Sequence, residues 1–182
     1  MVPLCLGPRA GMLDPARAGP MATGAVHDRT TQRLALPLAL LCWPLVGPAA
    51  AVAAGLAFLI GGLWLSPDLD TRSRPSRRWG PLALLWLPYR RLVRHRGWIS
   101  HLPLLGSAGR LAYLALLLLL LSGLLQPLGL PGPHALITGA MDLWQRQQPV
   151  LLAALLGLEA SAWLHLIQDG DPLPLPLGRR RR

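Results

Sequence analysis

The imidazole and carboxylate side chains of this sequence are few, and they occur in small groups at the edges of apolar runs. Among 182 residues there are five His and eight acidic residues. Imidazole nitrogens and carboxylate oxygens that share one pocket are ligands for Zn, Mn or Fe. The groups therefore predict a divalent metal site, whose ligands would be His27, Asp68, Asp70, His95, His101, His165 and Asp169.

Two of these groups have spacings that suit joint ligation. His165 and Asp169 are four residues apart, which places both on one face of a helix. Asp68 and Asp70 are two residues apart and share a face if the loop that holds them is extended. The first pair also fits a simple helix-end ion pair, and the second fits a solvated loop. The spacing alone does not choose between these interpretations.

The other His residues are placed less regularly. His95 and His101 are six residues apart, so a regular helix would point them to different faces, and Gly97 would have to bend the path. His27 precedes the first apolar run and belongs to an N-terminal segment that could be mobile. Glu159, within the last apolar run, is a candidate for an interhelical or supporting contact. Ionisable groups in membrane segments are costly and usually functional, which favours a shared site.

The elements that must position these groups are apolar helices. Leu34–Leu65 has no charge over 32 residues, more than the roughly 20 that cross a bilayer, and Pro44–Pro48 interrupts it. This pattern predicts two short helices joined by a Pro/Gly turn. Leu104–Leu125 is the next apolar helix. Gln126–Gln148, which contains Pro127, Pro131 and Pro133, is a predicted connecting loop, and the last helix runs from Pro149 or Val150 to Ile167. The predicted fold class is therefore all-α, an integral membrane bundle of about four short transmembrane helices.

The order of crossings places every group on one side of the membrane. Two crossings separate His27 from Asp68, and two more separate His101 from His165. The formal net charge is +10, and all 18 basic residues are Arg. These Arg residues are concentrated in residues 72–96 and in Arg179–Arg182. Arg beside apolar runs marks cytoplasmic loops, so the site is predicted at the cytoplasmic helix ends, and no nucleic acid is expected as a partner. Within the Arg-rich stretch, residues 82–94 are predicted to form an amphipathic helix on the membrane surface.

Three regions follow from composition. Residues 1–20 are rich in Gly, Pro and Ala and are expected to be a disordered extension or to precede the true start at Met21. Residues 21–169 form the predicted membrane metal-binding domain, and residues 170–182 form a Pro/Arg-rich cytoplasmic tail. Cys5 and Cys42 have no metal-ligand spacing and indicate neither a disulfide framework nor a zinc ribbon.

Several motifs together resemble an uncharacterised bacterial family of metal-binding membrane proteins. They are similar also to the wider group of membrane-bound metal-dependent hydrolases, whose pattern has an early His, a Pro-Asp-x-Asp turn, a His-Arg-Gly segment followed by Ser-His, and a late His with a following Asp. The matching positions are His27-Asp28-Arg29, Gly61 to Asp70, Arg78 to Leu82, Trp86 to Tyr89, His95-Arg96-Gly97, Ser100-His101, and His165 with Asp169.

The resemblance implies metal binding, a location in the bacterial inner membrane, and two alternative functions. The first is a metal-dependent hydrolase of a phosphoester or lipid-linked substrate. In it the metal would lower the pKa of bound water to about 7, Arg96 would hold the substrate phosphate, and Asp70 or Asp169 would be the general base. The second is a non-enzymatic metal-handling protein. The lipid bilayer and a metal ion are the expected partners, no oligomeric state is predicted, and Ser66 and Thr71 are expected to tolerate Ala.

Overall fold

The computed structural model describes residues 22–93 and 102–170, and these parts of the chain are helical without a β-strand. There are three short 3-10 turns, at Pro67–Asp70, Gly80–Trp86 and Gln126–Leu128. The α-helices are α1 (Gly24–Leu63), α2 (Arg74–Arg78), α3 (Leu87–Leu92), α4 (Leu105–Leu125) and α5 (Pro133–Gln168). The all-α fold class is thus confirmed for these residues.

The longest helix, α1, is divided in the middle by Gly47. This residue has φ of 79° and ψ of 168°, outside the helical region, and its positive φ suits a residue without a side chain. The break falls within the Pro/Gly turn predicted at Pro44–Pro48. We call residues 24–46 the first arm of α1 and residues 48–63 the second arm.

The two arms pack antiparallel against each other. A methyl group at Gly55 would lie 2.9 Å from the Ala39 side chain, and one at Gly62 would lie 2.5 Å from the Thr31 side chain. These pairs are spaced almost symmetrically about Gly47, as in a hairpin. Glycine therefore lets the arms approach more closely than any larger residue would.

The second arm also packs along α5, and here the two helices run parallel. Ala50 packs with Ala153 near the start of this contact, while Gly61 lies against Leu158 near its end. The ends of the second arm and of α5 therefore lie together, and the antiparallel first arm begins at that same end. This arrangement is what brings distant parts of the sequence to one place.

Helix α5 is longer than the sequence predicts. The expected loop Gln126–Gln148 is wrong over most of its length, because α5 starts at Pro133 and has 36 residues. Proline suits the first turn of a helix, where no amide donor is needed. Pro133 therefore begins α5, although proline is also typical of loops. A local break at Gln147 (φ −126°) precedes Pro149, where the sequence placed the helix start.

Helix α4 runs antiparallel to the adjacent part of α5. At its start the Leu104 amide donates to Glu159 Oε1 (2.8 Å), which is the interhelical contact expected for Glu159. At its end Ser122 Oγ donates to the Pro131 carbonyl (2.6 Å), which holds the turn into α5.

Within the described residues, three segments are long and apolar enough to cross a membrane, judged by length and composition: Pro48–Asp70, Leu105–Leu128 and Pro133–Gln168. The first arm of α1, predicted as a fourth crossing, is not among them, and Asp28, Arg29 and Arg33 lie near its start.

The amphipathic helix predicted for residues 82–94 is not one continuous α-helix. The chain there makes the 3-10 turn Gly80–Trp86 and then the short helix α3, residue 94 lies outside the described residues, and the location on a membrane surface stays a prediction. Trp86 and Tyr89 are 0% and 4% exposed, and they pack in one cluster with the buried side chain of Leu69. This packing fixes the Asp-containing turn Pro67–Asp70 against the rest of the bundle.

Candidate metal centre

His27 lies at the start of α1 and reaches across to the end of α5. Its Nδ1 donates to Gln168 Oε1 (2.7 Å), and its Nε2 lies 3.0 Å from Asp169 Oδ1. The residue is only 6% exposed. Both ring nitrogens are therefore engaged with α5, and the predicted mobility of the N-terminal segment does not apply to this side chain.

His165, near the end of α5, faces the turn that follows the second arm of α1. Its Nδ1 lies 3.3 Å from Ser66 Oγ. Its Nε2 lies 3.3 Å from Asp169 Oδ2 and 3.5 Å from Asp68 Oδ1. This nitrogen is buried, and its contacts with the two carboxylates are long for hydrogen bonds. It thus points between two carboxylates, the position that suits a bound cation.

The two imidazoles are stacked, with ring centroids 4.0 Å apart and planes 23° apart. One ligand atom from each of His27, His165 and Asp169 lies within 4.8 Å of the others. These three residues are therefore the part of the predicted ligand set that the structure brings together most closely, with Asp68 beside them.

The spacing of these atoms fits a shared ion. Two ligands about 2.0–2.1 Å from a metal in tetrahedral or octahedral geometry lie roughly 3.0–3.4 Å apart. The observed nitrogen–oxygen separations are 3.0, 3.3 and 3.5 Å. Two imidazole nitrogens with carboxylate oxygens are donors that Zn, Mn and Fe accept.

Asp169 is held in its ionised form by its neighbours. Burial by itself would raise the pKa of this carboxyl. The hydrogen bonds of His165 and His27 outweigh that effect, and they hold the pKa of Asp169 well below its usual range. At neutral pH the residue therefore offers a negatively charged oxygen to each imidazole or to a cation between them.

Asp28 sits beside His27 but has a different role. Arg78 donates from Nη2 to Asp28 Oδ2 (2.6 Å) and from Nη1 to the Leu63 carbonyl (2.9 Å). Arg74 lies 3.4 Å from the same carboxylate oxygen. These contacts join the start of the first arm to the end of the second arm, so they fix the position of the helix turn that carries His27.

Asp70 is also buried, at 6% exposed, but it is not one of the three clustered ligands. Its charge acts on Tyr89 together with that of Arg110. Burial is the main cause that raises the pKa of the Tyr89 phenol; Arg110 opposes the increase and Asp70 adds to it. Asp70 as a metal ligand therefore stays a prediction.

Three predicted site residues, His95, Arg96 and His101, lie outside the described residues. The expected mutual approach of His95 and His101 to the centre stays a prediction as well. The four members that the structure does describe at the centre come from the start of α1, the Pro67–Asp70 turn and the end of α5.

Two supporting residues were not recognised in the sequence. Gln168 was given no role, although it follows His165 by three residues and so shares its side of α5. Ser66 was expected to tolerate Ala, but its hydroxyl meets His165 and also accepts from the Asp68 amide (3.4 Å). A Ser immediately before Pro-Asp is a typical helix-cap signal and could have identified this contact. Thr71 likewise donates to the Asp68 carbonyl (3.0 Å).

Comparison with known proteins gives one family and one relative. Residues 22–173 match the family described as "Uncharacterized metal-binding protein (DUF2227)". An "Uncharacterized protein" of Aquifex aeolicus (strain VF5) is 49% identical over 61 residues, which is 33% of this chain. The match spans 43% of that relative's length, less than half of it. No solved structure matches the chain.

Proposed function

Because this chain belongs to the family of uncharacterized metal-binding proteins, we propose that it is an integral membrane protein that binds a divalent metal ion through His27, His165 and Asp169, with Asp68 as a fourth donor. The observation that carries this proposal is the convergence of these side chains from three helix ends. Zn, Mn and Fe are the candidate ions.

The supporting hydrogen bonds suit metal ligation by both imidazoles. Gln168 accepts from Nδ1 of His27, which leaves Nε2 of that ring without a proton when the ring is neutral. Donation from Nδ1 of His165 to Ser66 would do the same for the second ring. Metal-binding His residues usually hold their other nitrogen in this way. Two such lone pairs facing carboxylate oxygens repel unless a cation or a proton lies between them.

The test is the metal content of protein purified in detergent, measured by mass spectrometry of the elements. We expect close to one divalent ion per chain, and its loss in His165→Ala and Asp169→Asn. The matched controls are His134→Ala and Asp142→Asn, which change an exposed His and an exposed Asp in the first part of α5. Retention of the ion in both site variants, or equal loss in the controls, would refute the site.

Membrane integration is supported by the apolar side chains on the outer surface of the bundle. Leu41, Leu45 and Leu124 are 71%, 81% and 74% exposed, which is costly in water and normal in lipid. The exposed residues Arg29, Arg33, Arg72, Arg74 and Arg77 are grouped at the metal end. By the positive-inside rule we propose that this end faces the cytoplasm of a bacterial inner membrane. Reporter fusions at Ser73 and after Arg182 should both report a cytoplasmic location, and opposite locations would contradict this topology.

Hydrolysis is supported by the accessibility of one donor. The Asp68 side chain is 29% exposed, whereas that of His165 is 4% exposed. A metal site that is open to water at one position is typical of catalysis. When bound, the ion would activate water for attack on a phosphoester. Turnover of bis(p-nitrophenyl) phosphate that EDTA abolishes would support this use of the site, and metal-loaded protein without turnover would favour metal handling.

A further inference from the structure

Two adjoining cavities form one apolar groove between the first arm of α1 and the last part of α5. Their volumes are about 610 and 590 Å³. Leu38 on α1 and Ala160 on α5 line both, so the two cavities adjoin along the same pair of helices. The side chains that line them carry no charge. A polar ligand would gain nothing along this wall, whereas a hydrocarbon chain would be well solvated.

One end of the groove is closed by the metal centre. The last lining residues at that end are Leu34 and Ile167. Leu34 lies two helical turns after His27, and Ile167 directly precedes Gln168. The hydrogen bond between His27 and Gln168 spans the same two helices that form the groove walls. A ligand lying in the groove would therefore place its end against the imidazoles.

Among the described residues, exposed Arg side chains lie at this end, whereas at the other end Arg146 is paired with Asp142 (2.8 Å). Arg33 is exposed and lies one turn before the lining residue Pro37, on the same face of the first arm. Arg29 lies one further turn toward the start of the helix and is exposed too. The groove thus combines an apolar wall with a cationic rim beside a metal centre. This complementarity selects a ligand with a hydrocarbon tail and an anionic head.

The length of the groove fits one leaflet of a bilayer. Residues 34–46 of the first arm span roughly 18 Å, and residues 149–167 of α5 span roughly 27 Å, at about 1.5 Å per residue. The hydrocarbon layer of one leaflet is about 15 Å thick, half of the roughly 30 Å core. The groove is therefore long enough for the acyl chain of one leaflet and too short to cross both.

We propose that this groove binds an acyl chain of an anionic membrane phospholipid and directs its phosphate headgroup to the His27–His165–Asp169 centre. The headgroup part rests on the proposed metal function, whereas the acyl part rests on the groove alone. If the centre is hydrolytic, the substrate class is a phospholipid phosphoester and not a water-soluble phosphate.

The test uses dioleoyl phosphatidic acid as the probe, titrated into purified full-length protein and counted by native mass spectrometry. Ala160→Phe fills the groove where the two cavities join, and Leu38→Trp fills it from the opposite wall. Ala115→Phe is the matched control, on an exposed position of α4 outside the groove. We expect one tightly held lipid per chain in the wild type. Binding should weaken by at least about tenfold in both filled variants, because buried methylene groups are displaced. Ala115→Phe should bind as the wild type does.

Metal content is measured on the same samples, since it reports both folding and the proposed function. Loss of lipid with retained metal in the filled variants supports the inference. Unchanged lipid binding in these variants would overturn it, as would equal affinity for phosphatidylcholine or equal competition by soluble glycerol phosphate. If the wild type bound lipid but no metal, and the filled variants lost the lipid, the metal proposal would fail and the acyl site would stand.

Discussion

Replacing Gly157 by Ala should force α5 away from the second arm of α1. A methyl group at this position would lie 2.8 Å from the carbonyl carbon of Ala54 and closer still to its oxygen. Ordinary contact begins near 3.4 Å, so the helices must separate by at least about 0.6 Å. The obstacle is backbone, which cannot rotate aside as a side chain would. We therefore expect the upper part of the usual overpacking cost, about 3 kcal/mol.

The separation should also reach the metal centre. His165 lies eight residues after Gly157, roughly 12 Å along the helix. Asp68 is carried by the opposing second arm, and its oxygen is already 3.5 Å from His165 Nε2. Moving the two helices apart lengthens that distance and distorts the geometry around an ion, so the affinity for metal should fall together with stability.

The assay is thermal unfolding in detergent, with and without added metal, followed by metal analysis. A loss of about 3 kcal/mol corresponds to a melting temperature roughly 6–12 °C lower for a chain of this size. Gly139→Ala is the matched control in the same helix, since a methyl group there meets nothing within 4 Å. It should be neutral or slightly stabilising, because Ala favours helix over Gly. If Gly157→Ala had the same melting temperature as Gly139→Ala, the close packing of these helices would be refuted.

Two further predictions concern the residues around the ligands. Gln168→Ala and Ser66→Ala remove the partners of His27 Nδ1 and His165 Nδ1. Each should weaken metal binding about 10–100-fold, as measured by competition with a metal chelator. The control is Thr138→Ala, an exposed Thr on α5, and metal affinities equal to that of this control would contradict these roles. Arg78→Met leaves the buried carboxylate of Asp28 with only the longer contact to Arg74 and should destabilise the fold by about 1–3 kcal/mol. The control Arg146→Met removes an exposed ion pair with Asp142 and should cost no more than about 0.5 kcal/mol. If Arg78→Met and Arg146→Met had equal melting temperatures, the stabilising role of Arg78 would be refuted.

The sequence was most informative where local spacing determines geometry. The four-residue spacing of His165 and Asp169 predicted one helical face, and their side chains do meet at 3.3 Å. The Pro/Gly turn was found because Gly47 and its neighbouring prolines are strong local signals. Both predictions depend on a few adjacent residues and need no knowledge of the partner helices.

The sequence is least informative about contacts that depend on how one helix is rotated against another. Nothing near Gln168 indicates that it faces His27, since this depends on how the first arm lies across α5. Likewise nothing in the sequence around Trp86 and Tyr89 indicates that the 3-10 turn buries them beside Leu69. Pro133 was read as a loop residue because proline ends helices and also begins them.

The same geometry links metal binding to the packing of the helices. His27 belongs to the first arm of α1, whereas His165 and Asp169 belong to α5, so an ion held by all three joins the two helices that form the groove walls. The two imidazoles are stacked 4.0 Å apart, and the carboxylates of Asp68 and Asp169 lie beside them. One divalent cation between these groups would neutralise both carboxylates and would tie the first arm of α1 to α5. Under the proposed function, metal binding would therefore stabilise the closed bundle at this end, because binding to a site that exists only in the folded protein adds to the free energy of folding.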